Sequence, residues 1–226
     1  QAVQDCDVLF FCVPISVLEQ TLAALQESFA RRQQHNDRPL WLMDTCSVKE
    51  RPLAWMNRAV QNLKPEQFRI LGLHPMFGPD SAGDSPEGLR LVLCPQDLAE
   101  AEWQSWQEHF SHLGLHTVVM SAAEHDREAA KTQGLTHLLG RLLEALNIRQ
   151  SPIATAGYQA LCQLREQTCH DTWQLFLDLQ KQNNYTPLMR GELQKALETV
   201  YNALENGAPE NKPLGVAHGG NTREEN

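Results

Sequence analysis

Apolar residues in the first half of the chain come in short unbroken runs, separated by segments in which they recur every three or four positions. The runs at 8–13, 40–44, 69–73, 89–94 and 115–120 predict strands, and their continuity is that of a sheet buried on both faces. Between them Leu18, Leu22, Leu25 and Phe29 share one helical face. So do Leu53, Met56, Val60 and Leu63, and again Trp103, Trp106, Phe110 and Leu113. Ser16 with Glu19, and Asp97 with Glu100, have the spacing of capping boxes; Pro52 suits a first helical turn and Gly114 a stop. Strand–helix alternation of this kind predicts an α/β fold, a doubly wound and mainly parallel sheet with helices on both faces.

The strand pattern ends at Ser121. Ser121 and Glu124 form another capping box, opening a long helix with Leu135, Leu138, Leu142 and Leu146 expected inward. A helical stretch over 153–181, broken once, and a helix over 187–206 after the cap Thr186 follow, the latter aligning Leu193, Leu197, Val200 and Leu204. The expected organisation is a sheet domain over 1–121, an all-α domain over 122–206, and a disordered tail over 207–226, rich in Gly, Asn, Pro and Glu. A run such as 8–13 belongs in the middle of a sheet, yet nothing precedes it; the sheet is expected to lack its first strands and the start to be a cut.

Charge narrows the partners. A net charge of −9 and a pI near 5.4 argue against nucleic acid and anionic membrane surfaces. Apolar runs fall short of the roughly 18 residues of a membrane span. The six cysteines have no metal-ligand spacing and read as reduced thiols of a cytoplasmic protein. His109, His112 and His116 are separated by the Gly114 stop and read as solvated, so no metal is expected.

In a doubly wound sheet ligands bind beyond the carboxyl ends of the strands. Three such ends are Val13-Pro14, the segment 44–49 with Ser47 and Lys49, and His74-Pro75-Met76-Phe77-Gly78. His74, at the mouth of a Pro/Gly-rich loop, has the unperturbed pKa of about 6.5 that suits a general base. Ser47 could donate to its imidazole and fix the tautomer, or could simply cap a helix with Glu50. Lys49 reads as a ligand contact or a solvated charge. Gln133, His137 and Arg141 share one polar helical face, which either meets solvent or roofs the crevice.

With Val13-Pro14-Ile15, Ser47-Val48-Lys49, the string from Leu71 to Ser81, Ser121-Ala122-Ala123-Glu124-His125-Asp126, Gln133, His137 and Ser151-Pro152-Ile153, the chain resembles prephenate dehydrogenases. It most resembles the dehydrogenase part of the bacterial bifunctional chorismate mutase–prephenate dehydrogenase. The resemblance implies a partial Rossmann-like domain followed by a helical dimerisation domain, acting on prephenate with NAD, or with NADP as the alternative, to give 4-hydroxyphenylpyruvate and carbon dioxide. It implies His74 as base and Ser47 as its orienter. It further implies Val13, Pro14 and Ser47 in the cofactor cleft; Lys49, Gln133 and His137 at the substrate; and a homodimer through the helical domain. Two departures temper this. The glycine-rich G-x-G-x-x-G turn is not among the 226 residues, so this chain alone is expected to be inactive. Thr155 and Gln163 stand where the family places carboxylate-binding arginines, leaving Arg165 and Arg141 as replacements. An arogenate dehydrogenase-type relative and a non-catalytic dimeric relative are the alternatives.

Overall fold

The computed structural model describes residues 2–78 and 82–207. The end of the histidine loop at 79–81 and the expected tail beyond Gly207 lie outside the described residues. Five strands, β1 (Val8–Phe11), β2 (Leu40–Asp44), β3 (Phe68–Pro75), β4 (Arg90–Gln96) and β5 (His116–Val119), stand side by side in sequence order. Neighbours run parallel except β3 and β4, which are antiparallel. Helices α1 (Ala2–Asp5), α2 (Ile15–His35), α3 (Glu50–Val60) and α4 (Glu100–His112) accompany them.

Strand alternation sorts the core into two layers. Leu40, Leu42 and Ile70 meet Leu18, Leu22, Phe29 and Met56 of α2 and α3, whereas Met43, Leu71, Leu73 and Leu93 meet Phe110 of α4. Burial on both faces is what the unbroken apolar runs predicted. Among the described residues β1 forms one edge of the sheet, with Phe10 exposed.

Strand β3 runs past its predicted end. The antiparallel ladder with β4 pairs His74 with Val92 and Pro75 with Leu91, and Met76 N donates to Arg90 O at 2.9 Å. His74 is therefore held inside a strand rather than at the mouth of a loop.

Two helix starts differ from the sequence pattern in an instructive way. Ser16 does not cap α2, because the helix already begins at Ile15 after Pro14; the Ser16 amide instead donates to the Asp178 carboxylate at 3.2 Å. Ser47 does not cap α3 either: the amides of Lys49 and Glu50 donate to the two oxygens of Asp126, at 2.7 and 3.0 Å. Both helices thus have orphan amides satisfied by carboxylates from distant helical segments, which also complement the positive end of the helix dipole. Asp97 sits in a turn with φ of 51°, and Glu102 rather than Glu100 receives the Ala99 amide of α4. The Ser121–Glu124 box forms as expected.

From that box rises a rod: α5 (Ala122–Ala129), a π turn (Ala130–Gly134) and α6 (Leu135–Ala145), followed by α7 (Ala156–Cys169), α8 (Trp173–Gln182) and α9 (Thr186–Asn206). The break expected within 153–181 falls between Cys169 and Trp173. At the π turn the Gly134 carbonyl accepts from Gln180 Nε2 at 2.7 Å.

The leucine stripe of α6 turns inward only in part: Leu135 and Leu138 are half-buried. Leu142 and Leu146 are exposed, while His137 and Gly140 are buried. The cause is a close crossing with α7: a Cβ on Gly140 would stand 1.7 Å from Thr168 Oγ1, so only glycine fits there and that face turns inward.

Contacts group the chain into Gln1–Met189 and Arg190–Asn226. The sheet and the helices through α8 lie in the first unit, so Ser121 marks the change from sheet to helices rather than a gap in packing. In the second unit Leu197, Val200, Tyr201 and Leu204 of α9 are exposed. Among the described residues no helix is long and apolar enough to cross a membrane.

Candidate active site

The centre of the site is a chain of three buried side chains. His74 Nδ1 lies 2.7 Å from His125 Nε2, and His125 Nδ1 lies 2.8 Å from Asp126 Oδ1. Strand β3 supplies the first, and the opening turn of α5, fixed by the Ser121–Glu124 box, supplies the other two. The relative exposures are 2%, 3% and 0%, so water does not compete for these bonds.

Hydrogen-bond roles propagate along this chain. The Asp126 carboxylate already accepts two backbone amides and is acceptor-only, so the bond from His125 Nδ1 is an N–H donation. With its Nδ1–H turned to Asp126, His125 presents its Nε2 lone pair, His74 donates from Nδ1, and His74 Nε2 is left as the acceptor. Among the described residues that nitrogen has no hydrogen-bond partner. Burial first, and then the facing His125 and Lys49, hold the His74 pKa well below the ordinary imidazole range. The ring is thereby kept neutral and able to take a proton.

Ser47 therefore does not orient His74: the Nδ1 position is taken by His125, and no hydrogen bond joins Ser47 to the imidazole. Lys49 is not placed at a ligand. Its side chain is fully buried, and its ammonium donates to Asp44 Oδ2 and to the carbonyl of Leu73, the residue before His74. With its backbone amide on Asp126, Lys49 ties together both strands of the relay's support. The nearby thiols are not nucleophiles: burial first raises the pKa of Cys46 well above the usual thiol range, and that of Cys94 to about 12.

The structure does bring Val13, Pro14 and Ser47 together. They line one cavity of about 180 Å³ with Thr45 and Cys46, walled by Leu175 and Asp178 of α8. That is smaller than the roughly 300–1,000 Å³ of a complete ligand site, and its apolar lining suits one flat ring with a short polar attachment. The fit is to the nicotinamide end of a dinucleotide; the residues for a pyrophosphate are not among the 226.

Gln133 and His137 fall on the rod that carries His125, one on the π turn and one on α6. Gln133 Oε1 and His137 Nδ1 are buried without hydrogen-bond partners, the latter 3.7 Å from the Asp171 carboxylate. Burial lowers the His137 pKa. Thr155 caps α7 by accepting from Tyr158 N, and Gln163 is exposed. Sequence reading missed the relay's inner members. The adjacent pair His125-Asp126, fourth and fifth after a capping serine, places one side chain toward β3 and the other toward the start of α3. Nothing in the spacing alone announces that.

A largely parallel sheet flanked by helices, with a buried imidazole near the carboxyl end of β3 that keeps one nitrogen open, is the arrangement of a nucleotide-binding fold equipped with a proton acceptor. Comparison with known proteins narrows the class. The prephenate dehydrogenase nucleotide-binding domain family matches residues 1–117, and a TYRAAT1-like C-terminal domain matches 142–212. Arogenate dehydrogenase 1, chloroplastic, of Arabidopsis thaliana is 34% identical over 205 residues, covering 88% of this chain and 30% of its own length. The T-protein of Enterobacter agglomerans is 34% identical over 133 residues, 59% of this chain and 31% of that protein. The fold matches prephenate dehydrogenase from Aquifex aeolicus with a TM-score of 0.67 and 16% identity, covering 90% of this chain and 72% of that one. The chain belongs to the prephenate dehydrogenase family, and NAD(P) is its cofactor class. It spans less than a third of the length of the two curated relatives just described.

Proposed function

We propose that this chain acts in an NAD(P)-dependent dehydrogenase that oxidatively decarboxylates prephenate to 4-hydroxyphenylpyruvate. The observation that carries the reading is the Asp126–His125–His74 relay, which leaves a neutral imidazole nitrogen open. The nicotinamide, when bound, supplies the hydride acceptor. His74 Nε2 accepts the hydrogen bond of the ring C4 hydroxyl and draws off its proton as the C4 hydride leaves. The C1–carboxylate bond breaks, and its electron pair completes the aromatic ring as carbon dioxide departs. As His74 gains positive charge, His125 and Asp126 stabilise it through the Nδ1 bond. Val13, Pro14 and Ser47 hold the nicotinamide end, with NAD favoured over NADP, and Gln133 and His137 face the substrate. Exposed Leu142, Leu146 and Ile153 support a homodimer through the helices, in a cytoplasmic enzyme.

Arogenate is the second reading. It is supported by Thr155 and Gln163, which are a cap and an exposed side chain where carboxylate-binding arginines are expected, and by the name of the plant relative. Full-length protein mixed with NAD and each substrate in turn is expected to form NADH and carbon dioxide in equal amounts, faster with prephenate. Faster turnover of arogenate selects the second reading, and no NADH from either compound, nor NADPH when NADP replaces NAD, overturns both.

A further inference from the structure

One wall of the cavity that Val13, Pro14 and Ser47 share carries a formal charge. Asp178 of α8 lines it beside Leu175, and the residue is only 3% exposed. Its oxygens take neutral donors: Oδ2 accepts the Ser16 amide at 3.2 Å, and Oδ1 accepts Gln174 Nε2 at 2.7 Å. Among the described residues no lysine, arginine or histidine pairs with it. The positive end of α2, whose first turn holds Ser16, offsets roughly half a charge. Cys46, the other ionisable group among the described residues lining the cavity, stays a neutral thiol. Burial first, and then Asp44, raise its pKa, and the charge of Asp178 adds to the rise. A buried carboxylate without a cation is costly, and the space beside it gives a cation somewhere to sit.

The flat ring that suits this cavity comes in two charge states. A nicotinamide is a cation when oxidised and neutral once it has taken a hydride, while the rest of the dinucleotide stays the same. Charge is therefore the difference that a neighbouring carboxylate reads. At an effective dielectric of about 20, a unit charge a few ångströms away changes affinity by more than about tenfold. A preference for the oxidised form works against hydride transfer. Loss of carbon dioxide and formation of an aromatic ring drive this reaction strongly forward, so the site can give up some oxidising power. What it gains is quicker release of the reduced cofactor.

We propose that Asp178 makes this site prefer the oxidised cofactor, its carboxylate attracting the cationic nicotinamide ring and losing that attraction when the ring is reduced. The proposal rests on the dehydrogenase reading and adds the residue that tells the two redox states apart. The test is calorimetric titration of the full-length protein with NAD, NADH and benzamide adenine dinucleotide, an aromatic counterpart of NAD whose ring is uncharged. NAD is expected to bind at least about tenfold tighter than either neutral-ring compound. Asp178→Asn can still accept from the Ser16 amide, and it is expected to abolish the preference by weakening NAD alone. Asp178→Glu keeps the charge and is expected to keep a preference. NAD binding no tighter than the benzamide dinucleotide, or a preference that survives Asp178→Asn, overturns the role of Asp178 and leaves the dehydrogenase reading standing. If only the phosphorylated forms bind, NADP and NADPH take the place of NAD and NADH, and binding of none of these four overturns both. Should Asp178→Asn bind none of the compounds, the cleft is damaged and Asp178→Glu decides: a preference lost there, with the charge retained, overturns the proposal.

Discussion

Replacing His74 with asparagine is expected to lower kcat by about 10²–10⁴-fold, the usual share of a positioned general base, with KM nearly unchanged. Asparagine keeps the approximate size and can still donate toward His125 Nε2, so the buried relay loses little packing. What disappears is the open basic nitrogen, which acts as the C4 hydroxyl gives up its proton. Loss confined to kcat identifies an interaction made mainly in the transition state. Steady-state kinetics of the full-length protein checks it, and a kcat close to that of the unaltered enzyme removes His74 from the chemistry. The pH profile carries the same signature. Because burial, then His125 and Lys49, depress the His74 pKa, the imidazole stays neutral as pH falls through 6.5. The acid limb of kcat/KM is therefore expected below, not at, the ordinary histidine value of about 6.5.

Lys49→Met is expected to have the largest effect on stability. It strips the ammonium from Asp44, which is fully buried, has one oxygen without any partner, and would keep only the Cys46 amide on the other. It also removes the side-chain donor to the Leu73 carbonyl. Breaking a buried ion pair from one side costs about 3–5 kcal/mol, whereas replacing both partners with apolar residues is often neutral. Urea unfolding is expected to show that loss for Lys49→Met and recovery of most of it in the double variant Asp44→Leu with Lys49→Met. A single variant within about 1 kcal/mol of the parent, an ordinary surface effect, contradicts the structural role given to this pair.

The five strands and the helix faces between them were legible because sheet burial leaves a continuous apolar run and a docked helix leaves a stripe at 3.6-residue spacing. His74, Ser47, Val13 and Pro14 were legible as strand ends. What escaped was set by partners distant in sequence. The caps of α2 and α3 come from Asp178 and Asp126, some 160 and 75 residues further on, so Ser16 and Ser47 cap neither helix, while Pro52 falls in the first turn of α3 as expected. The leucines of α6 marked only part of the inward face, because Gly140, with no side chain, decides which face Thr168 can approach. Lys49 read as a ligand contact because a fully buried lysine needs a buried carboxylate, and Asp44 looked only like the end of a strand. The orienter of His74 lay 51 residues away, on the far side of two strands and a helix.

The most direct test of the relay is the protonation pattern of the His74 ring, read from ¹⁵N chemical shifts and one-bond N–H couplings of the histidines in the ligand-free protein at neutral pH. The relay predicts a proton on His74 Nδ1, a bare Nε2, and no titration of this ring near pH 6.5. A proton on Nε2 with Nδ1 bare, or a ring that titrates at the ordinary histidine value, contradicts it.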